Sequence, residues 1–372
     1  MNSNILFILF LVFCSATGIQ ILYFLCFHLR LALYKKQADV NREFPPVSVI
    51  ICARNEDVNL KNNLPKILSQ DYPQFELIVV DDNSEDGTLE FLHYLAYKEP
   101  RLKKVKVGEV NRLMAGKKFP LTLGIKAATY DTLVLTDADC IPASDQWLKI
   151  TIASYRDSDS IILGYGAYEK EKGFLNKLIR FETVASAMQY FSYALAGLPY
   201  MGVGRNLSYK KELFFKYGGF ADHRNIPSGD DDLFINKVAN KKNCGINIQK
   251  DAFTYSAPKQ TYADWKEQKK RHLSTAKFYK AKHKFLLSLF PMTQIISWIL
   301  FPVLMLFLFQ WYYVLGLFVL RLLLQRILYT GCMKKLDEKD LISSIEIFDV
   351  LQVFYYFVFA RAAMVKTKYR WN

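Results

Sequence analysis

Cysteine is scarce and scattered in this 372-residue chain: six residues, at 14, 26, 52, 140, 244 and 332, with no C-x-x-C pair. That pattern argues against a disulfide framework or a zinc site and for free thiols in a reducing compartment. Basic residues are missing ahead of the first apolar run, where a cleaved signal peptide carries them. Internal repeats, low-complexity tracts, zinc-finger spacing and a basic helical arm are also lacking. Lys and Arg outnumber Asp and Glu by 14 (49 minus 35), but they are spread along the chain. The excess therefore speaks for an anionic membrane face or a phosphorylated substrate, and against nucleic acid as a partner.

Apolar residues make up half of the chain and aromatics 15%, and they crowd into the two ends. Residues 5–27 are almost continuously apolar, with Gln20 the one strongly polar interruption. Such a run crosses roughly 30 Å of hydrocarbon as a helix. Arg30, Lys35, Lys36 and Arg42 follow it, so the positive-inside rule leaves the N-terminus outside and the rest in the cytosol. Residues 1–34 thus read as an uncleaved anchor. A second and a third span follow at 285–309 and 311–329, a hairpin over 285–331 that turns at Gln310. Arg321, Arg326, Lys334 and Lys335 bring the chain back to the cytosolic side. The last apolar segment, 345–366, carries Glu346, Asp349, Gln352 and Arg361 and runs into Lys366, Lys368 and Arg370. Crossing would strand those cations outside, so an interfacial or re-entrant helix fits better than a span. The expected location is the inner membrane, multi-pass, with the middle of the chain in the cytosol.

That middle, 45–284, alternates strand and helix. Residues 47–52 and 75–80 are short β-branched runs, and 56–70 has helical spacing of apolar residues. Residues 88–96 read as a helix and 132–136 as a strand. The alternation implies an α/β domain with a mostly parallel sheet. In such sheets ligands bind beyond the carboxyl ends of the strands. Two acidic clusters fall there, Asp81-Asp82 and Asp137-Ala-Asp139.

Two carboxylates at a strand end offer hard oxygen ligands suited to Mg²⁺ or Mn²⁺. Alone, D-x-D also recurs on solvated turns. Asp81-Asp-Asn-Ser-Glu-Asp-Gly-Thr88 can cap a helix through Ser84 or Asp86 while Asp81 or Asp82 faces a ligand. Asp230-Asp231-Asp232 opens an apparent helix, and three adjacent carboxylates raise at least one pKa, as a general base near neutral pH requires. Gln268 and either Arg271 or His272 share a helical face, and Arg271 can hold diphosphate oxygens bidentately. The basic residues from Lys266 to His272 are also expected to meet anionic lipid headgroups. His28, His93 and His283 are expected in bland roles.

Together these blocks resemble the family-2 inverting glycosyltransferases of GT-A fold, in their membrane-anchored bacterial type. The resemblance spans about 47–274. It rests on Val47-Ser-Val-Ile-Ile-Cys-Ala-Arg-Asn-Glu56, on Leu77-Ile-Val-Val-Asp-Asp-Asn-Ser-Glu-Asp-Gly-Thr88, and on the acidic and Q-x-x-R blocks. The resemblance implies that Asp81 and Asp82 contact the base and ribose of a nucleotide-sugar, and that Lys117 approaches its diphosphate. It makes Asp137 and Asp139 metal ligands for Mg²⁺ or Mn²⁺, and adds Gln268 and Arg271 to the donor site. Asp230, with Asp231 as the alternative, becomes the base that deprotonates the acceptor hydroxyl. Asn206, in Gly202-Val-Gly-Arg-Asn206, and His272 fall on the acceptor side. Four positions depart from the family pattern: Cys52 for proline, Thr122 for asparagine, Gly229 for an acid and His272 for tryptophan.

The implied function is transfer of a sugar from a nucleotide-sugar donor to a lipid-linked or glycan acceptor at the cytosolic membrane face. A polyprenyl-phosphate sugar synthase, which needs no strong base, is the nearest alternative. A non-catalytic assembly protein and a transporter are the others.

Overall fold

A computed structural model describes residues 2–35, 43–108 and 114–360. Lys36, Arg42, Arg361, Lys366, Lys368 and Arg370, invoked above for topology, lie outside the described residues.

Every residue of β1 (Val47–Ala53) and β2 (Phe75–Asp81) is buried, which is why both read as unbroken apolar runs. They pair in parallel, Val47 opposite Phe75 and Ala53 opposite Asp81. The remaining strands are β3 (Leu102–Lys106), β4 (Thr132–Leu135), β5 (Cys140–Pro142), β6 (Ile161–Leu163), β7 (Gly166–Tyr168), β8 (Leu207–Lys210), β9 (Cys244–Ile246) and β10 (Thr254–Ser256). The main sheet has seven strands in the order β3-β2-β1-β4-β8-β6-β9. β8 pairs antiparallel with both neighbours while the other pairs are parallel, so β8 alone is reversed. β5, β10 and β7 form a separate three-stranded sheet. Lys103, Lys104 and Lys106 line β3, and charge on an edge strand discourages pairing with another chain.

Alternation along the strands sends side chains to two cores. Val47, Val49 and Ile51 pack with Leu60, Leu64 and Ile67 of the helix Asp57–Leu68. Ile50, Cys52, Ile78 and Val80 face the other way, toward Leu121 and Ile125 of the helix Lys118–Ala127 and Phe181 and Val184 of the helix Phe174–Leu195. Each fully buried aliphatic side chain contributes about 1.5–3 kcal/mol relative to exposure.

The second core continues without a break into the apolar ends of the chain, through Tyr23, Phe24, Phe27, Leu31, Leu328 and Cys332. Phe27 stacks on Tyr193 at 4.5 Å between ring centroids. Four helices are long and apolar enough to cross a membrane: Ser3–Leu33, Ala281–Leu306, Trp311–Lys335 and Lys339–Phe359. The first contains a π-helical turn, Phe24–His28. The second and third form a hairpin whose turn holds Leu308 and Gln310 in the left-handed region, at φ 50° and 47°.

One buried polar network ties all four helices together. The Arg321 guanidinium donates to both Asp349 carboxylate oxygens, at 2.5 and 3.0 Å, and to Gln20 Oε1 at 2.7 Å. Gln294, Gln325 and the Trp298 indole also donate to the Asp349 carboxylate. The helix Ile345–Ala360 is thereby held against the bundle on one side. On the other it meets the α/β part of the chain: Phe348 stacks on Phe181 at 4.3 Å, and Tyr355 and Phe359 pack on Trp265. Its outward face, Ile347, Phe354, Phe357 and Val358, is exposed.

Candidate active site

The parallel register decides where the acids go. β1, β2 and β4 end side by side, so Asp81 closes β2 and Asp137 follows β4 at the same edge of the sheet. The Lys117 ammonium makes an ion pair with Asp137 Oδ1. Burial works to lower the Lys117 pKa, but Asp137, Asp230 and the other groups beside it together outweigh burial and hold the ammonium above its ordinary value. Burial likewise opposes ionisation of Asp137, and Lys117, then Arg205 and Arg271, overcome it and hold the carboxyl low. Asp139 is open to solvent at the cleft, yet the surrounding protein and then the Asp137 charge push its carboxyl up. A cation bound between the two would reverse that upward push.

Ligand atoms of Asp137, Asp139 and Cys140 lie within 4.8 Å of one another. The Cys140 thiol is fully buried and pushed well above its ordinary value, chiefly by desolvation, so it stays protonated. That leaves two carboxylates, a donor set of hard oxygens that fits Mg²⁺ or Mn²⁺ better than zinc.

Three consecutive acids stand across the cleft, and the fold uses each differently. Asp231 caps the helix Asp232–Val238: its Oδ1 accepts from the Asp232 N–H at 2.7 Å and its Oδ2 from the Gly204 N–H at 2.8 Å. Asp232 is buried and accepts from the Thr275 and Tyr279 hydroxyls, the latter at 2.7 Å. Asp230 accepts no hydrogen bond from the described residues, so its oxygens remain open to the cavity it lines. Burial, then the charges of Asp230 and Asp232, push Asp231 up to about 7. The expectation of at least one raised pKa in this run is met at Asp231, and again at Asp232.

Gln268, Lys269, Arg271 and His272 of the helix Tyr262–Leu273 all face the same cavity, of about 720 Å³, that holds Lys117, Asp137, Asp139 and Asp230 to Asp232. Gln268 accepts from the Tyr168 hydroxyl at 3.4 Å. Desolvation first, and the cations Lys269, Arg271 and Arg205 next, lower the His272 pKa well below its ordinary value, so its imidazole is neutral. The headgroup expectation for this helix is corrected in part. Lys269 is buried in an ion pair with Glu182, Lys270 pairs with Glu267, and Arg271 and the exposed His272 line the open cavity.

Three predicted site residues are not brought to this cavity. Asn206 is buried and structural: its Oδ1 accepts from the Trp147 indole at 3.2 Å, and its Nδ2 donates to the carbonyls of Tyr165 and Ala252. It faces away from the cavity because it adjoins β8, where neighbouring side chains point to opposite faces. Its neighbour Arg205 takes the cavity face instead, donating to Ser256 Oγ at 2.9 Å and lying over the Tyr168 ring. Asp81 and Asp82 are buried beside the cavity rather than lining it. Asp81 Oδ1 accepts from the Ser84 N–H at 3.3 Å, and its Oδ2 is buried without a hydrogen-bond partner among the described residues. The loops after β1 and β2 lock together around them. Ser84 Oγ accepts from the Asn55 N–H, Asn55 Oδ1 from the Glu85 N–H, and Asp86 from the N–H groups of Asp57 and Thr88.

Residues 48–223 match the family described as Glycosyl transferase family 2. The chain carries a glycosyltransferase family 2 domain. Among curated relatives, a probable glycosyltransferase of Bacillus subtilis, YdaM, is 26% identical over 65% of this chain and 60% of its own length. A poly-beta-1,6-N-acetyl-D-glucosamine synthase of Staphylococcus epidermidis is 34% identical over 31% of this chain and 26% of its own. A beta-monoglucosyldiacylglycerol synthase of Nostoc is 27% identical over 40% and 30%. The matched part thus spans 60% or less of these relatives. A solved structure, the mannosyltransferase PcManGT from Pyrobaculum calidifontis in complex with GDP-Man and Mn²⁺, superposes with a TM-score of 0.57 at 20% identity. The superposition covers 93% of this chain and 99% of that one, so the fold is GT-A-like.

Within the glycosyltransferase domain, two departures from the family pattern have a local cause. Gly229 sits at φ +95°, and a Cβ there would lie 2.5 Å from the Leu233 side chain, so the usual acid cannot stand at this position without rearrangement. Cys52 lines the cavity beside Lys117, and burial pushes its thiol up to about 12, which keeps it a neutral filler where proline is usual. Three functional residues were missed in the sequence. Arg205 was visible only as the neighbour of Asn206. Lys118, fully buried, donates to the carbonyls of Ile226 and Ser228 and so holds the loop that presents Asp230. Glu182 reaches the cavity from the helix Phe174–Leu195 with no local motif to announce it.

Proposed function

We propose that this protein is an inverting glycosyltransferase that moves a sugar from a nucleotide-diphosphate sugar to a hydroxyl of a lipid-linked or glycan acceptor at the cytosolic membrane face. The observation that carries the reading is a single cavity with Asp137, Asp139, Lys117, Arg205 and Arg271 at one part of its wall and Asp230 at another. The first group suits a diphosphate and the second an acceptor hydroxyl.

Asp137 and Asp139 would hold Mg²⁺ or Mn²⁺, which when bound supplies charge neutralisation to the diphosphate. Lys117, Arg205 and Arg271 add fixed positive charge there, positioned before the reaction begins. The unpartnered Oδ2 of Asp81 supports a role in holding the nucleoside, with Asp82 beside it. Asp230 accepts the proton of the acceptor hydroxyl as its oxygen attacks the anomeric carbon. The bond from that carbon to the diphosphate oxygen breaks, and the nucleoside diphosphate leaves with the electron pair. Attack opposite the leaving group inverts the anomeric centre. Asp231 and Asp232 are committed to hydrogen bonds, which favours Asp230 over Asp231 as the base. His272 lines the acceptor side as a neutral imidazole.

The cytosolic placement is supported by cations at the end of the bundle that carries the catalytic domain, where Arg30, Lys334 and Lys335 gather and Lys335 donates to the Tyr34 carbonyl. The helix Ile345–Ala360, gripped by the bundle and the catalytic domain with an apolar outer face, is read as interfacial.

Asp230→Asn is expected to lower transfer by about 10²–10⁴-fold while binding of the nucleoside diphosphate with Mn²⁺ is retained. Isothermal titration beside a turnover assay reads both. Undiminished turnover in the variant would remove Asp230 as the base and favour a phosphate acceptor, which needs none.

A further inference from the structure

Arg205 is laid out along a strand that has little of its own to hold it. β7 has three residues and one sheet neighbour, β10, so its ladder is on one side only. Yet this strand is the bed of the Arg205 side chain. The Tyr165 carbonyl, just before it, accepts from Asn206, the neighbour of Arg205, at 3.0 Å. Gly166 lies directly against Arg205: a Cβ there would stand 3.0 Å from Arg205 Cβ and 3.2 Å from its Nε. Arg205 Nη1 donates to the Ala167 carbonyl at 3.3 Å, and the guanidinium lies 4.3 Å from the centre of the Tyr168 ring.

The grip on this bed comes from the apolar end of the chain. The turn after the helix Trp311–Lys335 carries Asp337, Glu338 and Asp340. It takes hold of β7 beyond both of its ends. On one side the Tyr165 hydroxyl donates to Glu338 Oε1 at 3.3 Å. On the other the Lys170 ammonium donates to the Asp337 carbonyl at 2.6 Å and lies 3.6 Å from the Asp337 and Asp340 carboxylates. Arg180, on the helix Phe174–Leu195, fixes the turn itself. Its Nε donates to Glu338 Oε2 at 3.0 Å, and its Nη1 and Nη2 donate to the two Asp340 carboxylate oxygens at 2.8 and 2.6 Å. Lys250 adds an ion pair with Asp337 at 3.1 Å.

Cohesion alone does not explain these contacts. The sheet and the apolar helices already share one hydrophobic core. The Arg180 and Glu338 side chains are each 2% exposed, and a buried ion pair costs in desolvation about what it regains in attraction. What such a pairing supplies is direction, because the guanidinium and carboxylate meet in a fixed planar geometry. The turn is also held in an unusual shape, with Asp337 at φ 59°, a backbone conformation uncommon outside glycine.

We propose that Glu338 and Lys170 are positioning residues for the donor site: they tie the two ends of β7 to the turn after the apolar hairpin, and so set Arg205 against the diphosphate. Neither touches the substrate; both act through Arg205. The inference rests on the glycosyltransferase reading and adds to it that the seating of the apolar hairpin sets donor affinity.

The test uses the full chain in phosphatidylcholine nanodiscs, with UDP and GDP in Mn²⁺ as probes in isothermal titration. Glu338→Leu removes the acceptor of the Tyr165 hydroxyl, and Lys170→Met frees the other end of the strand. Each is expected to weaken binding of the nucleoside diphosphate that the unaltered protein takes by about 5–10-fold, the worth of one lost hydrogen bond. Added to Arg205→Ala, neither is expected to weaken binding further, because effects transmitted through one group do not add. Arg326→Gln, which breaks an exposed ion pair with Glu346 in the same helices, is expected to leave binding unchanged. Lys170 is half-exposed, so Lys170→Met carries the test alone should Glu338→Leu fail to fold. Unaltered affinity in the folded variants would overturn the proposal. A loss of the same size in the Arg205→Ala background would also overturn it, as the mark of general loosening. An unaltered protein that binds neither UDP nor GDP would instead contradict the glycosyltransferase reading, and the proposal with it.

Discussion

At the residue scale, the three neighbouring acids 230–232 show how backbone geometry divides labour among identical side chains. Asp231 takes two backbone N–H groups, Asp232 two hydroxyls and the Leu233 N–H, and Asp230 stays open to the cavity. None of this division can be read in a run of three aspartates. It depends on Gly229 adopting φ +95° and on Lys118 holding the loop before it. The crowding has a measurable consequence. Asp231 is pushed up to about 7 in the folded state by burial and by its neighbours, from an ordinary value of 3.8. Between about pH 4 and pH 7 the folded chain keeps a proton that the unfolded chain has released, so this group's contribution to stability falls as pH rises and levels off above the folded pKa. Asp231→Asn removes that dependence. Relative to the unaltered protein, the variant is expected to gain ~1–2 kcal/mol between pH 5 and pH 8, below the full linkage value because the cavity admits water. Chemical unfolding at the two pH values measures it, and a variant that tracks the unaltered protein at both would contradict the assignment.

At the element scale, the expected strands and helices of the catalytic domain appear within a few residues of where apolar periodicity put them. Residues 47–52 become Val47–Ala53, and 88–96 become the helix Thr88–Lys98. Fully buried parallel strands leave a strong signal because both faces demand apolar side chains. Of the residues singled out in the sequence, Lys117, Asp137, Asp139, Asp230, Gln268 and Arg271 line one cavity. What was not legible depends on side-chain direction and on partners far away in sequence. Asn206 and Arg205 exchange roles through the alternation beside β8. His283, expected in a bland role, is buried against Asn236 at 2.9 Å, 47 residues away.

The last apolar helix was ambiguous for the same reason. Its charged residues read as obstacles to membrane insertion until Asp349 is seen to pair with Arg321, 28 residues earlier. Removing one partner of such a pair strands a charge. Asp349→Ala is therefore expected to cost about 3–5 kcal/mol, and Arg321→Leu with Asp349→Leu to recover most of it. Thermal unfolding in detergent separates the two outcomes, and a double variant no better than the single would mean that the pair is worth more than its mutual neutralisation.

At the scale of the whole molecule, the apolar helices are more than a tether. They share a hydrophobic core with the sheet and supply the far wall of the catalytic cavity. Asp137, Asp139 and Asp230 line the part of this cavity beyond the strand ends, and the bundle closes its other end. All of this depends on the cavity being a donor site. The most direct measurement is release of nucleoside diphosphate by the purified full chain in a bilayer, from a panel of UDP- and GDP-sugars, with and without Mn²⁺. The account expects release from at least one donor, dependent on the cation and lost in Asp139→Asn. Release from no donor, or release that Asp139→Asn leaves unchanged, would contradict it.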